Sequence, residues 1–207
     1  MKQLVITLVL GLAMAFPARA APPVKGDPSK GGKIAGEVCI ACHGADGNGS
    51  TPPNPEFPKI AAKQPEYILK QLKDFKAGKR KNDIMAAMVA TLTPDDMANL
   101  AVYFAAQKGS SGTIKEAALL GPGKKIYHDG NSETGVPGCA GCHMPDASGT
   151  DRFPRLAGQH AEYTLLQLKR FQTGERDNDK GLAMQSVSAK MTEAEMKAVA
   201  EYVAGLK

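Results

Sequence analysis

The apolar positions recur with a helical period in four stretches that fall into two matching pairs. From Tyr67, residues Ile68, Leu72 and Phe75 fall on one face of a helix that stops at Gly78, and a second stretch repeats it with Leu165, Leu168, Phe171 and Gly174. The other pair closes each half of the chain. Thr93-Pro94-Asp95-Asp96 reads as a capping box with proline at the first helical position, followed by Met97, Leu100, Ala101 and Phe104 on one stripe. Thr192-Glu193-Ala194-Glu195 opens its copy, with Met196, Val199, Ala200 and Val203. No stretch alternates with period two, so the pattern predicts an all-α fold.

The order of features repeats as well. Each half runs through a glycine-led helix, a Cys-x-x-Cys-His stretch, a Phe-Pro-basic-apolar-Ala segment, a Tyr-led helix, a methionine and a final capped helix. Phe57-Pro58-Lys59-Ile60-Ala61 pairs with Phe153-Pro154-Arg155-Leu156-Ala157, and Glu66-Tyr67 with Glu162-Tyr163. A repeat of this length predicts two duplicated domains. The expected division is a first domain over 21–108, a linker over 109–114 that Gly109-Ser110-Ser111-Gly112 marks as flexible by composition, and a second domain over 115–207. The second half carries a longer insertion, His128 to Gly138, read as a surface loop.

At the N-terminus, Lys2, the apolar run from Leu4 to Phe16 and Ala18-Arg19-Ala20 read as a secretory signal over 1–20 with cleavage before Ala21. That run is shorter than the roughly 20 residues of a spanning helix, so the exported, mature chain is expected to be soluble. Loss of Lys2 and Arg19 leaves 24 basic against 21 acidic residues, too small an excess to predict nucleic-acid binding. The excess lies in 21–110, with 12 basic and 9 acidic residues, which would orient docking on a charged partner. Within it, Lys79-Arg80-Lys81 is a candidate docking patch, set against the commoner reading of a solvated helix end.

Composition adds one physical hint. The chain is 5% aromatic with no Trp, so a half of about 90 residues has a thin core that a bulky cofactor would fill. The four cysteines all fall in Cys39-Ile40-Ala41-Cys42-His43 and Cys139-Ala140-Gly141-Cys142-His143, the attachment pattern of c-type haem. Two thiols add across the haem vinyl groups, and the short spacer aims the next imidazole at the iron. A redox disulfide or a four-thiolate zinc site would use the cysteines but leaves both histidines unexplained.

The second axial position decides between electron transfer and ligand chemistry. Met85 lies 42 residues after His43 and Met184 lies 41 after His143, each expected in a loop between the amphipathic helices. Met97 and Met196 are also paired, but they occupy the apolar stripe of a helix and read as core packed on the haem. Met88 and Met144 have no methionine counterpart, and His128 and His160 occur in the second half only, so none of these serves both sites. A thioether opposite imidazole closes the sixth position, which favours an electron carrier over an enzyme. The carbonyls of Pro58 and Pro154 are candidate acceptors for the other ring N–H of His43 and His143, with a simple chain-turning role as the alternative.

With Ala41-Cys42-His43-Gly44-Ala45-Asp46-Gly47-Asn48, Gly158-Gln159-His160-Ala161-Glu162-Tyr163 and the two methionine segments added, the chain resembles the dihaem cytochromes c4 over its whole mature length. The resemblance implies two class I cytochrome c domains packed face to face, with two covalent haem c groups whose propionates meet at the interface. It also implies His/Met ligation and a periplasmic role, at most peripherally associated with the membrane, passing electrons from an upstream redox protein towards a haem-copper terminal oxidase. Where the second half has Gly158-Gln159 the first has Ala62-Lys63, which puts any contact of that glutamine in doubt for the first haem. A dihaem enzyme of peroxidase or thiosulfate-oxidising type, or a subunit docked on a dehydrogenase, is the alternative reading. No Ser-His-acid set, phosphate loop or spare cysteine suggests a further activity.

Overall fold

The computed structural model describes residues 23–50, 54 and 57–207; the expected signal over 1–20 lies outside them. Among the described residues the regular structure is helical, apart from one isolated antiparallel bridge between Asn131 and Val136. The first half contains α1 (Pro28–Ile34), a π-helical turn (Ala35–Cys39), α2 (Ile40–His43), α3 (Pro65–Lys76), α4 (Asp83–Val89) and α5 (Pro94–Ala105). The second contains a 3-10 turn (Ala117–Leu119), α6 (Leu120–Asp129), α7 (Ala140–His143), α8 (Ala161–Gln172), a 3-10 turn (Lys180–Leu182), α9 (Ala183–Ser188) and α10 (Glu193–Gly205).

In each half the first and last helices cross at a glycine. A Cβ on Gly31 would stand 2.1 Å from the Asn99 carbonyl oxygen, and one on Gly123 would stand 2.0 Å from that of Ala198. Absence of a side chain is what lets α1 meet α5 and α6 meet α10 so closely. Asp27 caps α1 through Ser29 N–H and donates its own N–H to Asn99 Oδ1 at 2.7 Å, which ties the helix start to α5. Both capping boxes form: Thr93 exchanges hydrogen bonds with Asp96, and Thr192 with Glu195.

The periodic stripes bury two separate cores. Ile68, Phe75, Val89, Leu92, Met97, Leu100 and Phe104 form one, and Tyr127, Val136, Leu168, Met191, Met196, Val199 and Val203 form the other. Two sequence expectations change on contact with the structure. The insertion from His128 to Gly138 is not wholly a surface loop: Val136 is buried, and Asn131 and Thr134 side chains donate to Glu195 Oε1 at 2.7 and 3.1 Å. The glycine-serine stretch is anchored on both sides, since Lys59 Nζ donates to the Ser111 carbonyl at 2.6 Å and Gly112 N–H to that of Ala204 at 2.7 Å. Its small residues permit close passage, as a Cβ on Gly112 would come 2.9 Å from the Gln159 carbonyl oxygen.

Candidate haem sites and the interface between them

Cys39, Cys42 and His43 follow one another through the π-helical turn and α2, and Cys139, Cys142 and His143 do so at α7. A π-helical turn within a helix is a recurrent feature of functional sites. His43 and His143 are buried at the ends of their helices. The chain then folds back over each ring. Gly47 carbonyl accepts Ile60 N–H at 2.7 Å and Ala61 N–H at 3.0 Å, and Ala147 carbonyl accepts Leu156 and Ala157 N–H at 2.9 and 3.1 Å.

That fold-back delivers a proline carbonyl to each imidazole. His43 Nδ1 lies 2.8 Å from Pro58 O, and His143 Nδ1 lies 2.8 Å from Pro154 O. A carbonyl only accepts, so each Nδ1 carries the proton and each Nε2 keeps a free lone pair. Burial pushes both imidazoles below their ordinary pKa against the opposing pull of the carbonyl bonds, which favours the neutral, metal-binding form. Burial also pushes the Cys39 and Cys139 thiols up to about 11.

Met85 and Met184 sit in the first turns of the short helices α4 and α9, not in loops. Asn82 Oδ1 accepts Met85 N–H at 2.8 Å and Asp179 Oδ2 accepts Met184 N–H at 2.7 Å, so an Asx side chain fixes the backbone of each methionine. Helices of 7 and 6 residues are too short for a periodic signal. Met85 and Cys39 border the first core, and Met184 and Cys139 border the second. Met97 and Met196 lie inside those cores at 2% and 0% exposure. His128 Nε2 is 3.0 Å from the Tyr202 hydroxyl, and His160 begins the Tyr-led helix of the second half.

Among the described residues no cluster of three or more His, Cys, Asp and Glu side chains is arranged to hold a metal ion. In contrast, paired thiols followed by an imidazole with a free Nε2 suit covalent haem in both halves.

Between the halves lies a polar cluster that the basic-run reading missed. Arg80 turns inward: Nη1 donates to Gln71 Oε1 at 2.8 Å, and Nη2 to the Tyr163 hydroxyl at 2.7 Å and Gln167 Oε1 at 3.0 Å. Arg176 mirrors it, with Nη1 on Gln167 Oε1 at 2.8 Å and Nη2 on the Tyr67 hydroxyl at 3.2 Å. Their guanidinium groups lie over Phe75 and Phe171 at 4.7 and 4.4 Å. A signal was present in the repeat. Gly78-Lys79-Arg80-Lys81 aligns with Gly174-Glu175-Arg176-Asp177, where the flanking charges reverse and the arginine is the one charge kept. Lys79 and Lys81 stay exposed, so the proposed docking run is reduced to two cations.

Among the described residues Arg80, Arg176, Lys59 and Lys63 form no ion pair with a carboxylate within 4 Å, although Asp46 lies close enough to act on Lys59 through charge. Burial pushes the Lys63 ammonium down to about 8. Burial raises the Tyr67 phenol, but Arg176 and Arg80 outweigh it and draw it down to about 7. Such a surplus of inward-facing cations suits a group that brings carboxylates, as haem does with its propionates.

The sequence model described as cytochrome c matches this chain twice, over residues 28–108 and 121–207. Cytochrome c4 of Stutzerimonas stutzeri is 41% identical over the whole length of both chains. The chain belongs to the cytochrome c4 family. The crystal structure of reduced recombinant cytochrome c4 from Pseudomonas stutzeri superposes with a TM-score of 0.83 at 40% identity, covering 88% of this chain and 100% of that one. A more distant relative, the thiosulfate dehydrogenase electron acceptor of Thiomonas intermedia, is 36% identical and covers 80% of this chain and 77% of its own. Membership in the cytochrome c4 family with two tandem domains means two covalently bound haem c groups and a role in electron transport.

Proposed function

We propose that this is an exported two-centre electron shuttle without catalysis of its own. Signal residues 1–20 are removed, domains 21–108 and 115–207 each carry one haem, and segment 109–114 joins them. Cys39 and Cys42 tether the first haem between His43 and Met85, and Cys139 and Cys142 tether the second between His143 and Met184. The observation that carries this reading is the duplicated hydrogen bond at 2.8 Å from Nδ1 to a proline carbonyl, which leaves Nε2 of each histidine free for iron beside two thiols. When bound, haem supplies a reversible one-electron couple. Protein groups hold it, keep the imidazoles neutral and, through the methionines, close the sixth position to substrate.

Terminal acceptor and compartment belong to the same proposal: a periplasmic carrier, at most peripherally attached to the membrane, delivering to a haem-copper terminal oxidase. No helix among the described residues is long and apolar enough to cross a membrane. A second reading, favoured by the relative that accepts electrons from thiosulfate dehydrogenase, places the donor in sulfur oxidation. Mixing the purified protein with each candidate donor and with oxidase-containing membranes separates these roles by rate.

A redox titration followed by visible spectroscopy tests the centre of the proposal. Parent protein is expected to show two haems and the long-wavelength methionine–iron band. Met85→Ala and Met184→Ala should each remove one haem's share of that band and lower one potential. If either left the spectrum and both potentials unchanged, that ligand assignment fails.

A further inference from the structure

Each imidazole is connected to the opposite domain by a path that runs through a single peptide group. The Pro58 carbonyl that receives His43 Nδ1–H at 2.8 Å belongs to the same peptide as the Lys59 N–H, which donates to Gln159 Oε1 at 2.9 Å. Gln159 is buried at 4% exposure, and its Nε2 donates to the Lys59 carbonyl at 2.8 Å, which fixes the orientation of its amide. In the other direction, His143 Nδ1–H donates to Pro154 O at 2.8 Å, and Arg155 N–H of that peptide donates to Gln64 Oε1 at 2.8 Å. Gln64 Nε2 donates to the Ser148 carbonyl at 2.6 Å.

The two glutamines are not counterparts in the repeat. Gln159 aligns with Lys63, whose Nζ donates to the Arg155 carbonyl at 2.6 Å, and Gln64 aligns with His160. Different positions therefore bring an amide oxygen to the same peptide N–H in both halves. An interface needing only cohesion would not require that repeated end point.

We infer that Gln159 and Gln64 are positioning residues, each tuning the reduction potential of the haem in the opposite domain by accepting the N–H of the peptide that holds its axial imidazole. This rests on the ligation by His43 and His143 proposed above. Donation by a peptide N–H places more negative charge on its own carbonyl oxygen, so linked hydrogen bonds strengthen one another. A stronger acceptor at Nδ1–H makes Nε2 a better donor to iron and favours the ferric state. Removing the glutamine oxygen weakens the carbonyl and raises the potential.

The experiment compares the holoprotein with its Gln159→Leu, Gln159→Glu and Gln64→Leu variants by spectroscopic redox titration. Each potential is assigned to its haem, and the His43 Nδ1–H and Lys59 amide resonances are followed in the reduced state. Gln159→Leu should raise the potential of the haem at His43 alone and move both resonances. Gln64→Leu should raise only the potential at His143. Gln159→Glu keeps an oxygen for Lys59 N–H and should hold the His43 potential at or below the parent value. A loosened interface would instead shift both potentials together in Gln159→Leu; that result, a shift confined to the His143 haem, or no shift overturns the inference. If the ligand assignment itself is wrong, the parent spectrum reveals it before any glutamine is changed.

Discussion

Where the chain leaves each histidine, the two halves solve one backbone problem with different residues. Gly44 has φ 76° and ψ 159°, and Met144 at the matching position has φ 69° and ψ 154°. This region is open to glycine and costs other residues about 1–3 kcal/mol. Part of that strain would be offset in a Met144→Gly variant by the roughly 1 kcal/mol of chain entropy that glycine adds to the unfolded state. Met144→Gly is therefore expected to stabilise the second half by about 1 kcal/mol, measured by chemical denaturation with the haem spectrum unchanged. Destabilisation would mean that the exposed Met144 side chain makes a contact worth more than the strain. Residue identity made the cysteines and histidines readable because their spacing is itself the chemistry. It did not reveal that Met144 was strained, since backbone angles follow from the loop that returns to Gly149, whose N–H donates to the His143 carbonyl at 3.0 Å.

At the scale of elements, helix α6 holds two glycines with opposite roles. Gly123 is pressed against the Ala198 carbonyl of α10, whereas nothing lies within 4 Å of a Cβ placed on Gly121. Gly123→Ala should cost about 1–3 kcal/mol through overpacking, whereas Gly121→Ala, where better helix propensity is opposed by the restriction that Pro122 places on the residue before it, should stay within about 0.5 kcal/mol of the parent. Denaturation of the paired variants checks the contrast. The start of α10 adds a pH response. Burial pushes the Glu195 carboxyl up, but bonds from the Thr192 N–H, the Asn131 side chain and the Thr192 and Thr134 hydroxyls outweigh it and hold the pKa below the usual carboxylate value. A depressed carboxylate contributes stability that is complete above its unfolded pKa and is lost as pH falls through the folded one. Glu195→Gln keeps the capping geometry but not the charge, so it should lose about 1 kcal/mol at neutral pH and converge on the parent in acid. A constant difference at every pH would assign the effect to packing. The capping box was legible in the sequence because it is local. Attachment of the inserted segment to Glu195 was not, because Asn131 and Thr134 are more than sixty residues away.

At the scale of the whole molecule, duplication made the architecture legible: each stripe buries its own core, and the repeat pairs the proposed ligands without reference to distance. The interface was legible only in part, because a charge run is read by default as solvated. Arg80 sits between exposed Lys79 and Lys81 yet donates to Tyr163 and Gln167 of the other half, while Arg176 reaches back to Tyr67 and Gln71. Each guanidinium therefore couples the folding of one domain to the other, and a charge-assisted hydrogen bond of this kind contributes about 1.5–3 kcal/mol. Replacing one arginine leaves Tyr163 or Tyr67 without its cationic donor across the boundary. In calorimetry of the holoprotein, Arg80→Met should split a shared unfolding transition into two, with the earlier one lowered, while Lys79→Met and Lys81→Met leave it intact. A single unsplit transition in Arg80→Met would show that the glutamine contacts at Lys59 and Arg155 suffice to hold the domains together.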